Sequence, residues 1–205
     1  MRIFGFSHES FVDGPGIRIV IFTQGCNNAC PHCHNPESWD VNGGQEYTVQ
    51  DIIKMIKNAP PPQAQGLNDG KRTKLSKAGG MRPLAFPTKK SATKKAPRQS
   101  NVQGVTFSGG EPFMQAKELV QVATAAKRMG LDITTYTGYT YEELAAHPDE
   151  DIQALLNITD YLIDGPYIHE QRSFELKFRG SANQRIIDMN ATREAGCVVE
   201  FGEMA

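Results

Sequence analysis

The chain has 205 residues, 39% of them hydrophobic, with 22 Lys/Arg against 23 Asp/Glu and a formal net charge of -1. A mean hydropathy of -0.44 and apolar runs of only a few residues exclude a membrane span, and the length suits one domain with a sizeable core. Four cysteines, three of them between positions 26 and 33, do not form the pattern of a disulfide framework, so a reducing, cytoplasmic setting is expected.

In chain order, the N-terminal stretch Met1-Arg2-Ile3-Phe4-Gly5-Phe6-Ser7-His8-Glu9 has neither a continuous apolar run nor a small-residue cleavage site, so no signal peptide is expected. Residues 16–23 read as a β-strand. Tyr47 to Asn58 reads as a helix, N-capped by Thr48, with Ile52, Ile53 and Ile56 on one face. Val102 to Phe107 is the next strand and runs into Ser108-Gly109-Gly110. Gln115 to Met129 is helical, with Leu119, Val122, Ala123 and Ala126 on one face and Gly130 closing it. Leu131 to Tyr136 reads as a strand, and Tyr141–Ala146 and Asp149–Leu156 as short helices broken near Pro148. Ile158 to Ile163 is a last strand, ending at Asp164-Gly165-Pro166.

Strand–helix–strand alternation predicts a parallel α/β sheet with helical crossovers, whose strand C-termini share one ligand-binding rim. The cysteine loop, Gly109-Gly110-Glu111, Thr137-Gly138 and Asp164-Gly165 all fall on that rim. Residues 59–101 break the alternation. Ten of the 22 basic residues and one of the 23 acids lie between 60 and 100, leaving 12 basic and 22 acidic residues elsewhere. Proline-rich, basic and poor in large apolar groups, the stretch is expected to be a disordered insertion within a single domain spanning 1–205. It is a solvated insertion or a basic tether for phosphates or an acidic surface. With Phe86 as its one aromatic residue, base stacking is not expected of it.

The chemistry concentrates in Cys26-x-x-x-Cys30-x-x-Cys33, directly after the first strand. Three thiolates in a short loop either form part of a zinc site completed by His32, His34 or Cys197, or hold three corners of an iron–sulfur cluster and leave one iron open. Cys197 stands far down the chain after Glu194-Ala195-Gly196 and reads as a small buried hydrophobe. In Ser108-Gly109-Gly110-Glu111-Pro112, two glycines permit close backbone approach, their amides suit a carboxylate, and Glu111 suits an ammonium. Asp13 and Arg18 flank Gly14-Pro15-Gly16 and read as turn-shaping residues pairing charges at the surface. Asp164 is a strand-end residue or a ligand contact, and Thr137 a ligand contact or a turn closure. Trp39 reads as packing, and His8, His147 and His169 as ordinary surface or loop residues. Arg179-Gly180-Ser181 reads as a partner-facing or capping loop.

Cys-x-x-x-Cys-x-His-Cys together with Ser-Gly-Gly-Glu-Pro resembles the radical S-adenosylmethionine (SAM) superfamily. Val12-Asp13-Gly14-Pro15-Gly16-Ile17-Arg18, Cys33-His34-Asn35-Pro36-Glu37-Ser38-Trp39, Tyr136-Thr137-Gly138-Tyr139 and Leu162-Ile163-Asp164-Gly165-Pro166-Tyr167 resemble its glycyl-radical activating enzymes. Phe178-Arg179-Gly180-Ser181-Ala182-Asn183-Gln184-Arg185 resembles those members that act on anaerobic ribonucleoside-triphosphate reductase. The resemblance covers nearly everything outside 59–101 and implies a partial (β/α) barrel. It implies a [4Fe–4S] cluster on Cys26, Cys30 and Cys33, and SAM held by His32, Cys33, His34, Gly109, Gly110, Glu111 and Thr137. It further implies reductive cleavage of SAM to a 5′-deoxyadenosyl radical that takes hydrogen from a reductase glycine, with no acid–base pair. The partners so implied are the reductase and a one-electron donor such as flavodoxin or ferredoxin. A formate-lyase type of target is the near alternative. A zinc-stabilised nucleic-acid-binding module using the basic segment is the alternative from another class.

Overall fold

The structure is a computed structural model and describes residues 1–59 and 101–202. Its centre is four parallel strands: β2 (Arg18–Thr23), β4 (Gly104–Gly109), β5 (Asp132–Tyr136) and β6 (Tyr161–Asp164). Antiparallel strands flank them, β1 (Arg2–Ser10) on β2 and β7 (Arg185–Asp188) on β6, with two-residue β3 (Gln45–Glu46) outside β1. The sheet order is β3-β1-β2-β4-β5-β6-β7. The α/β architecture expected from the sequence is what forms, as a mixed sheet with a parallel centre.

Register explains the two faces. Ile19 pairs with Val105 and Ile21 with Phe107, and side chains alternate along a strand, so one face carries Ile19, Ile21, Val105, Phe107, Ile133, Leu162 and Ile187. All are buried in the core. Against this face pack Ile52 and Ile56 of α1 (Val49–Lys57), Leu119, Val122, Ala123 and Ala126 of α2 (Ala116–Arg128), and Leu155 of α4 (Glu150–Ile158). The opposite face carries Arg18 and, in register with each other, Thr106 and Thr134, all of them polar though buried.

Local chemistry sets the helix ends. Thr48 accepts from the Asp51 amide and Asp51 answers to the Thr48 amide, a capping box that starts α1. Thr140 and Glu143 do the same for the short α3 (Tyr141–Ala145). Asp149 caps α4, and Asp188 caps α5 (Met189–Ala195). α2 ends on Met129, and Gly130 follows at φ +80°, a left-handed step that glycine takes at least cost.

Four readings change. β1 was not expected as a strand, because Ile3 is its one fully buried side chain and no apolar alternation marks it. β7 and α5 also escaped, being four and seven residues long. Arg18 is not a surface residue. It is 0% exposed, with Nε donating to Thr106 Oγ1 (2.7 Å), Nη1 to Pro15 O (2.9 Å) and Nη2 to Val105 O (3.0 Å). Cys197 is exposed rather than buried, because it follows Gly196, the left-handed cap at the polar end of α5. The insertion expected at 59–101 lies, but for its terminal residues, outside the described residues.

Candidate functional site

At the C-terminal ends of the parallel strands lies an open cavity of about 790 Å³. Cys26, Cys30, Cys33, His34, Gly109, Gly110, Glu111 and Thr137 all line it. Of the residues expected at the site, His32 stands outside the lining, its ring 4.2 Å from that of His169.

β2 delivers the cysteine loop. Gly25 turns it at φ +97°, the Gly25 amide donates to Ser38 O (2.7 Å), and that of Cys26 to Trp39 O (3.2 Å). Ala29 (φ +45°) and His32 (φ +57°) flank Cys30 in the left-handed region. That conformation costs non-glycine residues about 1–3 kcal/mol each and persists where surroundings impose it. All three cysteines are free and half-buried. Burial, ahead of the negative Glu111 nearby, pushes the Cys26 thiol up, and the amides of Asn28 and Ala29 oppose this. A metal reverses the balance, since thiolate is the ligand form.

Among the described residues, no three His, Cys, Asp or Glu side chains converge as a single bound ion requires. A cubane cluster asks for less convergence, because each cysteine meets a different iron. The donor set, three thiols facing one cavity with Cys197 outside its lining, therefore fits a cluster with one open corner better than it fits zinc.

The glycines are dictated by close approach. A Cβ on Gly109, at φ +94°, would lie 2.7 Å from Phe22 Cα, and one on Gly110 would lie 2.3 Å from Gly25 O. The Gly110 amide donates to Thr23 O and the Glu111 amide to Gly25 O, both at 2.8 Å. These amides hold the cysteine loop, whereas the sequence suggested glycine amides facing a ligand carboxylate. Glu111 is fully buried. Its Oε1 accepts from Phe113 N (3.1 Å) and Thr137 Oγ1 (3.0 Å), and its Oε2 from Gly138 N (2.9 Å) and Asn28 Nδ2 (3.2 Å). Desolvation raises its pKa against the pull of those four donors.

Two residues whose roles the sequence left open make contacts within the protein. Asp164 is buried, accepts from the Tyr141 amide (2.8 Å), and pairs with Arg185, which also reaches Glu142. Thr137 is held between Glu111 and the Tyr139 amide (3.1 Å). Asp13 shapes its turn, accepting from Ser10 Oγ (2.5 Å), while its carbonyl accepts from Thr106 Oγ1 (2.7 Å).

Sequence reasoning missed several members. Asn28 lies between the cysteines, and a polar residue there was the available signal. Tyr136 donates from Oη to Phe178 O (2.6 Å) and draws the 174–180 stretch along the cavity wall. His169, taken for an ordinary loop residue, stacks on His32 and bonds through Nδ1 to Tyr167 Oη (3.2 Å). Trp39 lines the cavity with a buried Nε1 that has no hydrogen-bond partner among the described residues. Phe11, Val12 and Phe174 stand 63%, 73% and 88% exposed at its mouth.

Fold and rim together present the donor set of an iron–sulfur protein. The family described as "4Fe-4S single cluster domain" matches residues 12–68 and 72–187. An anaerobic ribonucleoside-triphosphate reductase-activating protein of Vibrio cholerae is 32% identical over 180 residues, 85% of this chain and 90% of the relative. One from Haemophilus influenzae is 31% identical over 179 residues, with the same coverage. A pyruvate formate-lyase-activating enzyme of Clostridium pasteurianum is 29% identical over 163 residues, 78% of this chain and 54% of the relative. The chain thus spans about half the length of the formate-lyase activases it matches and nine tenths of the reductase activases. It belongs to the 4Fe-4S single-cluster family and, within it, to the anaerobic ribonucleoside-triphosphate reductase-activating proteins. No helix among the described residues is long and apolar enough to cross a membrane.

Proposed function

We propose that this chain activates an anaerobic ribonucleoside-triphosphate reductase by installing a glycyl radical in it. Cys26, Cys30 and Cys33 hold a [4Fe–4S] cluster, and His32, Cys33, His34, Gly109, Gly110, Glu111 and Thr137 form the seat of SAM against its open corner. With an electron from a flavodoxin- or ferredoxin-type donor, the cluster would supply reductive cleavage of the S–C5′ bond of SAM, releasing methionine and a 5′-deoxyadenosyl radical that would take a hydrogen atom from a glycine Cα of the reductase. The observation that carries this reading is that three free thiols and the Gly-Gly-Glu turn line one cavity at the strand ends.

The chain's own residues orient and shield. Gly109 and Gly110 let the ends of β2 and β4 come together, so that the cysteine loop and the Gly-Gly-Glu turn share a wall. Tyr136 holds Phe178 on the opposite wall. Burial raises the Tyr136 pKa, ahead of the effect of Asp13. The exposed apolar mouth supports a protein substrate, since such patches mark interaction surfaces, and chain packed there keeps water from the radical.

Anaerobic co-incubation with candidate glycyl-radical enzymes, read by electron paramagnetic resonance (EPR), tests the reading. A glycyl radical should arise on the reductase. A signal on formate lyase alone would move the chain to the second reading, which the likeness to the Clostridium pasteurianum enzyme favours. Colourless protein holding zinc and no iron would point instead to the zinc-stabilised module.

A further inference from the structure

Glu111 accepts from four protein donors, Phe113 N, Thr137 Oγ1, Gly138 N and Asn28 Nδ2. Three come from the β4 and β5 ends, and the Asn28 amide alone comes from the cysteine loop. Among the described residues, it is the one side-chain hydrogen bond joining residues 27–29 to another segment. Gly25 and Cys26 are anchored before this stretch by Ser38 and Trp39, while after it the Cys33 amide bonds within the loop, to Cys30 O. The fit around the amide is close. A Cβ on Gly138 would stand 2.1 Å from Asn28 Nδ2, so glycine at 138 is what lets the amide lie across the end of β5.

From this we propose that Asn28 is a positioning residue. Through Glu111 it ties the stretch between Cys26 and Cys30 to the ends of β4 and β5, and so sets where the first two thiols stand relative to the Gly-Gly-Glu turn. The inference rests on the cluster-and-SAM reading above and deepens it. The carboxylate taken there as a grip on SAM is also the joint that gives the cysteine loop its shape. A partner that orients a ligand without touching the metal is typically worth about 10–100-fold in metal retention.

Two variants test this by opposite means. Asn28→Leu keeps the branching at Cγ and removes the donor. Gly138→Ala keeps every hydrogen-bonding group and forces the amide aside. Each is reconstituted anaerobically beside the wild type. Iron per chain, the rate of iron loss to a chelator, and the EPR line shape of the dithionite-reduced cluster with and without SAM are measured, with circular dichroism of the metal-free protein as the folding control. Both variants should fold, lose iron about tenfold faster, and show a diminished SAM-induced change in line shape. A purely structural role of Asn28 would leave that change intact. Wild-type iron retention and line shape in both variants overturn the proposal, as does an effect confined to Asn28→Leu. Should Asn28→Leu not fold, Gly138→Ala decides alone. A wild type that itself takes up no iron overturns the proposed function and this inference together, and is recognised because the unaltered chain fails.

Discussion

Arg18 Nη2 meets Asp132 Oδ1 at 2.6 Å on the inner face of the sheet, with the arginine fully buried and the aspartate 35% exposed. The hydrogens of Nη2 are aimed at Val105 O and Asp132 O, so the carboxylate contact is Coulombic more than directional. Nη1 and Thr106 meanwhile hold the Pro15 and Asp13 carbonyls, strapping the β1–β2 connection across the polar face. Removing one partner of a buried pair leaves the other uncompensated. Arg18→Met should therefore cost about 3 kcal/mol in denaturant unfolding and speed proteolysis near Val12. Asp132→Asn, at the exposed end, should cost less.

Cys30→Ala removes one of the three cavity thiols. The variant should reconstitute colourless, with iron per chain far below wild type, and form no 5′-deoxyadenosine from SAM under dithionite. Retention of a full cluster would break the assignment of the three ligands.

Phe174 offers 88% of its surface at the cavity mouth, with Arg172 over its ring at 4.3 Å. If the mouth receives the reductase, Phe174→Ser should raise the reductase concentration needed for half-maximal glycyl-radical yield by about tenfold, the equivalent of about 1.4 kcal/mol. SAM cleavage without the partner should be unchanged. Equal losses in both assays would place Phe174 in the cofactor seat.

Tyr136→Phe deletes the donor to Phe178 O and leaves the carbonyl of that residue, itself at φ +60°, short of a partner. A loss of about 1 kcal/mol is expected, together with faster hydrogen exchange over 174–180. Unaltered exchange there would show that the segment holds its place without the tyrosine.

The hydrogen bond from Arg185, ahead of other causes, holds the Glu142 carboxyl below its ordinary value near 4.5. A depressed folded-state pKa means stability that is present above the unfolded value and lost as pH falls. The side chain is 59% exposed, so the pair contributes below about 1 kcal/mol. The melting temperature of Glu142→Gln should sit slightly under wild type at pH 7, and the gap should close as pH drops below about 4.5.

What the sequence disclosed followed from how strongly each segment repeats a physical pattern. Ile52, Ile53 and Ile56 after Thr48 announce α1 because cap and apolar spacing agree. β1 hides because most of its side chains are only partly buried, so no apolar alternation marks it. Arg18 misleads for a different reason. A charged residue between two glycines and an isoleucine run looks peripheral until register places Thr106 and Asp132 beside it. At the site, the cysteines and glycines were legible by spacing. The work of Asn28 and Tyr136 was not, since each acts on a residue more than 40 positions away.

Between α1 and β4 the described residues end at Ala59 and resume at Asn101. Because β4 runs from Gly104 toward Gly109 and the rim, its entry point lies at the pole remote from the cysteines. A protein engineer wanting to splice in a fluorophore, an affinity handle or a second folded unit has a natural port there. Cargo attached at that pole would ride on the molecule without crowding the cavity lined by the three cysteines.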